Sequence, residues 1–264
     1  MKALLIDSTR CIGCRGCQVA CKGWNELQAE ETKFFAGNGY QNPADLSPST
    51  WTLIKYNEVE VDKGFDWVFS KQQCFHCQTP ACASVCPVGA LEKSEAGPVV
   101  YNASICLGCR YCQLACPFKV PRFEWNKLIP EITKCTLCAD RIVVGLEPAC
   151  AKSCPTDAII FGEREKLIEE AENRIKKNPG GYVHHIYGKD EVGGTCVMHI
   201  SNVPFKEIGF DTNVPMEAII GKTEHAMKPI PYVLTGLGLV LGGISWVVNR
   251  KRELKEELES GKES

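Results

Sequence analysis

The stretch "CIGCRGCQVAC", residues 11–21, places cysteines at the spacing C-x2-C-x2-C-x3-C, and its recurrence decides the fold. Cys74, Cys77, Cys82 and Cys86 repeat it with a middle gap of four residues. Cys106, Cys109, Cys112 and Cys116 return to the tight form, and Cys135, Cys138, Cys150 and Cys154 stretch the middle gap to eleven. Every group closes on C-x3-C, so the first 155 residues are an internal repeat with variable loops.

Three thiolates on a C-x2-C-x2-C turn lie on one side of a tight loop and can grip one iron–sulfide cube. In two-cluster ferredoxins the fourth cysteine of such a run ligates the other cluster, so two runs interlock around two cubes. Pro87, Pro117 and Pro155 follow the last cysteine of groups two, three and four and close off a turn, whereas Lys22 stands there in group one. Structural zinc uses C-x2-C pairs at longer separations, and a third cysteine three residues on would crowd a tetrahedral site. Disulfide frameworks suit small secreted domains and not these regular triplets. A c-type haem needs C-x-x-C-H, which neither "CRGCQ" nor "CFHCQ" supplies.

Sixteen of the seventeen cysteines therefore match four 4Fe–4S clusters. The odd one, Cys196 in "GGTCVMH", reads as a small buried hydrophobe. His76, His184, His185, His199 and His225 are scattered, and haem ligation is the lesser reading for each. Spacing leaves the pairing of groups open: one with two and three with four, or one with four and two with three.

The rest of the chain bounds the setting. With 30 basic against 32 acidic residues, no broad basic surface is available to nucleic acid. "MKALLIDSTR" has neither a signal-length apolar region nor a twin arginine, so no export address is expected. Residues 230–248 form a charge-free run, roughly 28 Å as a helix at about 1.5 Å per residue, close to a hydrocarbon core of about 30 Å. Lys228 precedes it and Arg250, Lys251 and Arg252 follow, so the positive-inside rule puts the tail in the cytoplasm and the cluster domain on the periplasmic face of the inner membrane. Gly238 and Gly242, four apart, would let a partner helix approach.

"WTLIKYNEVEV" (51–61) predicts a strand. Leu167, Ile168, Ala171 and Ile175 mark one face of a helix over 163–177, and residues 181–204 read as strand and glycine turn. No G-x-x-x-x-G-K or dinucleotide fingerprint is present, so the chain reads as a wire whose substrate chemistry belongs to a partner.

On "RCIGCRGCQVACKGWNEL", "YQNPADLSPSTWTL", "KCTLCADRIVVGLEPACAKSCPTDAI", "VGGTCVMH" and the C-terminal apolar run, the chain resembles the iron–sulfur subunits of membrane-bound respiratory formate dehydrogenases, within the four-cluster subunits that serve molybdopterin oxidoreductases. The resemblance covers nearly the whole chain. It implies an α+β fold of two interlocked ferredoxin-like 4Fe–4S domains followed by one transmembrane helix. Residues 1–72 and 127–165 would form the first domain, 73–126 an inserted second, 166–229 a linking segment, 230–248 the membrane helix and 249–264 a charged cytoplasmic tail.

It also implies the ligand sets. Cys11, Cys14, Cys17 and Cys154 would hold cluster A. Cluster B would take Cys21, Cys135, Cys138 and Cys150; cluster C, Cys74, Cys77, Cys82 and Cys116; cluster D, Cys86, Cys106, Cys109 and Cys112. The implied partners are a catalytic molybdenum or tungsten pterin subunit, which would also bring the export address, and a membrane cytochrome b. Other ends for the same wire are a sulfur-compound, nitrate or dimethyl sulfoxide reductase, or a hydrogenase. A different class is an anchoring protein whose cubes only staple a core-poor domain. Family members carry a histidine where this chain has Cys196.

Overall fold

The computed structural model describes residues 1–33, 40–61, 64–125, 127, 130–219, 227 and 229–260, with side chains in the last helix described to residue 255. In chain order the strands are β1 (Lys2–Asp7), β2 (Leu53–Val61), β3 (Gly64–Gln72), β4 (Leu91–Lys93), β5 (Val99–Tyr101), β6 (Arg122–Phe123), β7 (Ile132–Thr133), β8 (Ile159–Glu163) and β9 (Val197–Ile200). The α-helices are α1 (Gly16–Trp24), α2 (Ala81–Ser84), α3 (Tyr111–Ala115), α4 (Ala139–Val143), α5 (Ala149–Lys152), α6 (Arg164–Lys177) and α7 (Ile230–Ser260).

One cluster-binding unit is drawn twice with different connectivity. In the inner copy, groups two and three flank an antiparallel pair, β4 with β5, and α2 packs on α3. In the outer copy the antiparallel pair is β1 with β8, lying outside groups one and four, and α1 packs on α5. Between the outer copy's two cysteine groups lie the β2–β3 hairpin and the inner copy.

The main core grows on β1, which is paired on its other edge with β9 in parallel. Leu4, Leu5 and Ile6 of β1 meet the predicted face of α6, Leu167, Ile168, Ala171 and Ile175, all buried. Each buried leucine or isoleucine among them contributes about 1.5–3 kcal/mol. Arg174, on the last turn of α6, ion-pairs with the fully buried Asp7 at 2.9 Å and so ties the helix to the end of β1. The strand expected over 51–61 is β2, which begins at Leu53.

Residues 230–255 form a helix long and apolar enough to cross a membrane, and its large side chains point outward on all sides: Leu234, Leu239 and Trp246 are 62, 74 and 70 % exposed. The helix does not stop at residue 248. "NRKRELKEELES" continues it to Ser260, because these are strong helix formers and Arg250 pairs with Glu253 one turn on. Lys228, His225 and residues 261–264, which entered the sequence reading, lie outside the described residues.

Candidate metal centres

The residue before the second cysteine is left-handed in every group: Gly13 (φ 66°), His76 (49°), Gly108 (68°) and Leu137 (55°). Such a residue turns successive N–H groups into a concavity suited to an anion. The amides of Gly108 and Leu137 donate to Cys106 Sγ (3.4 Å) and Cys135 Sγ (3.3 Å). The last two cysteines of each group flank or ride a short helix. Where proline follows, that helix ends before it, as in α2, α3 and α5. Where Lys22 replaces proline, α1 runs on past Cys21 to Trp24, and Lys22 Nζ instead donates to Ser49 O (2.7 Å) and Gln28 O (3.0 Å), fastening the insertion.

The folded chain gathers the sixteen cysteines into quartets, each drawn from two groups. Cys11, Cys14, Cys17 and Cys154 wall one cavity together with Phe69 and Lys71. Cys21, Cys135, Cys138 and Cys150 wall a second with Gln73, and Cys86, Cys106, Cys109 and Cys112 a third with Arg110. Of the remaining four, Cys74 packs in one cluster with Cys116, and Cys77 and Cys82 follow Cys74 on the same stretch of chain. Group one thus meets group four, and group two meets group three.

The quartets also have an order. Cys21 follows Cys17 of the first set on α1, Cys135 packs in one cluster with Cys74 of the third, and Cys82 packs in one with Cys112 of the fourth. The sequence is A, B, C, D. The two exposed cysteines are Cys14 in A and Cys109 in D, at opposite ends.

Burial pushes the thiols of Cys17, Cys21, Cys82 and Cys112 up to about 12 and that of Cys116 to about 11. Thiolates packed this closely need a positive group among them, which iron supplies. The donor chemistry fits an anionic sulfide cluster bound there: Lys71 Nζ in the first cavity and Gln73 Nε2 in the second are buried donors with no acceptor among the described residues. Among the described residues no trio of His, Cys, Asp or Glu converges on a single-ion site.

Cys196 is fully buried and lines none of the cavities, and Lys93 Nζ donates to its sulfur at 3.2 Å. Burial holds His199 down to about 3, where it packs on Phe210 and Phe75. Burial, helped by Lys134, Lys93 and Lys71, also keeps His76 well below its ordinary range, and its Nδ1 accepts from Val99 N–H at 2.9 Å. His185 bonds Glu191 and His184 bonds Pro179 O. Sequence reasoning missed Lys71 and Gln73: "SKQQC" has no periodic signal that separates a buried lysine from a solvated one.

Cysteine quartets strung through two ferredoxin-like units define an electron-transfer subunit with four 4Fe–4S clusters. Two family models described as 4Fe–4S dicluster domains match residues 65–164 and 10–90. The nitrate-inducible formate dehydrogenase iron–sulfur subunit of Escherichia coli is 38 % identical over 97 % of this chain and 88 % of its own length. The formate dehydrogenase iron–sulfur subunit of Haemophilus influenzae is 36 % identical over 97 and 83 %. The hydrogenase-2 operon protein HybA of Escherichia coli is 35 % identical over 78 and 71 %. The chain belongs to the family of formate dehydrogenase iron–sulfur subunits.

Proposed function

We propose that this chain carries electrons from a molybdenum or tungsten formate dehydrogenase subunit, through clusters A, B, C and D held by the four quartets, to a membrane cytochrome b and the quinone pool. The observation that carries the reading is the single file of quartets with an exposed cysteine at each end, one end beside the foot of the membrane helix. A cavity at set D is lined by Cys86, Cys106 and Leu107 together with Pro231 and Tyr232 of α7.

When bound, each 4Fe–4S cluster accepts and returns one electron. The protein's part is to hold the clusters in file, to donate amides to their cysteine sulfurs and to keep water off the inner two. Ala90 N–H to Cys86 Sγ at 3.2 Å is one such bond, with those from Gly108 and Leu137. At the ends, equivalent repeat positions present bare apolar side chains: Ile12 and Val19 (59 and 69 % exposed) beside set A, Leu107 and Leu114 (69 and 83 %) beside set D. We assign the first pair to the catalytic partner and the second to the membrane partner. The clusters then lie in an outer split domain, 1–72 with 127–165, and an inner one, 73–126. The basic residues after the membrane helix favour a periplasmic cluster domain.

The test is to purify the tagged chain anaerobically from detergent-solubilised membranes with whatever binds it, and to follow the visible cluster absorption. Formate should bleach it and a quinone analogue should restore it. Because HybA is also a relative, the same preparation is exposed to hydrogen; bleaching by hydrogen and not by formate would replace the formate assignment with a hydrogenase one.

A further inference from the structure

We propose that Lys71 is a shared counter-charge, buried between clusters A and B, that raises the reduction potential of both and so favours the arrival of the electron at this end of the wire. The inference rests on the ligand sets assigned above.

Lys71 lies near the end of β3, paired with Ile54 of β2. Adjacent strand residues face opposite sides, and here both are covered. Ser70 donates to Ile208 O at 3.0 Å on one side, while Lys71, 2 % exposed, reaches the cysteine sites on the other. It lines the cavity of Cys11, Cys14, Cys17 and Cys154. Cys17 of set A and Cys21, Cys135 and Cys150 of set B lie within electrostatic reach of its ammonium.

Its ammonium has no acceptor among the described residues. Two other buried or half-buried lysines near the clusters are satisfied by the protein itself. Lys134 Nζ donates to Val99 O and Cys135 O, and Lys93 Nζ to His76 O and Gly97 O. An ammonium buried without a partner is costly by several kcal/mol. A 4Fe–4S core with its four thiolates is a net anion, and it is the acceptor this lysine lacks. When a cluster takes up one electron its negative charge grows by one, and an ammonium held beside it favours the reduced form.

The test is an electron-paramagnetic-resonance redox titration of the purified complex for wild type, Lys71→Met, Lys71→Gln and Lys71→Arg, with iron counted in each. Both neutral variants should lower the reduced-to-oxidised ratio of clusters A and B at fixed potential tenfold or more, about 59 mV for a one-electron couple. Lys71→Arg should restore it, and clusters C and D should stay in place. Unchanged potentials in a neutral variant that keeps its iron would overturn the proposal. Loss of iron from A and B in both neutral variants makes the residue structural and overturns the proposal. A wild-type protein with fewer than four reducible clusters would instead refute the ligand assignment.

Discussion

At the scale of residues, the left-handed position ahead of each second cysteine carries a measurable cost for any side chain. An L-residue there costs about 1–2 kcal/mol. Gly13 and Gly108 are equivalent in the repeat but differ in surroundings. A Cβ on Gly13 would stand 2.9 Å from the Phe69 ring, whereas at Gly108 the nearest atom, on Phe123, is 3.8 Å away. Gly13→Ala should therefore shed the A cluster on warming well before Gly108→Ala sheds D, read as loss of visible absorption against temperature. Equal loss would mean that Phe69 gives way freely. The repeat is mirrored by Arg15 and Arg110, both left-handed, with guanidinium groups over Tyr56 (4.8 Å) and over Trp125 (4.0 Å) and Phe123 (4.6 Å). Tyr56 in turn donates to Gly13 O and accepts from Arg15 Nε, so one aromatic ring braces the whole first turn.

At the scale of elements, the apolar span of helix α7 buries none of its length against the rest of the described residues. Gly236 and Gly243 lie on one side of it and Gly238 and Gly242 on the other, and at each a Cβ would meet nothing within 4 Å among the described residues. Leu239 sits mid-span and is 74 % exposed; an arginine at a helix centre costs about 2.5–3.5 kcal/mol of insertion. Leu239→Arg should shift the chain out of the carbonate-resistant membrane fraction while leaving its iron content unchanged; loss of iron as well would show that the helix supports the domain. Elements differ in how plainly the sequence declares them. The thiol groups, α6 and the apolar run carry their spacing or period openly. The end of α7 does not, because a charged helix and a charged coil share a composition and only the continuing hydrogen-bond ladder separates them. β3 and the two-residue strands β6 and β7 are likewise unmarked: pairing across the sheet, and not local pattern, makes them strands. Lys71 was hidden for the same reason, since its burial depends on what the hairpin folds against.

At the scale of the whole molecule, a single file of clusters predicts an all-or-none break. Cys77 belongs to set C, inside the file. In Cys77→Ala, formate delivered through the catalytic partner should still reduce A and B within the dead time of rapid freezing, while D stays oxidised. Reduction of D at the wild-type rate would place C off the path.

The outer unit's two strands come from residues 2–7 and 159–163, with the whole inner unit spelled between them. On a ribosome the inner unit's cysteine groups are complete as soon as Cys116 emerges, whereas the outer unit waits for Cys154 and β8. The loop it must close is correspondingly long, at a closure entropy that grows only slowly with length. The order in which the cysteine groups become complete is therefore written into the chain, with the inner unit's first and the outer unit's last.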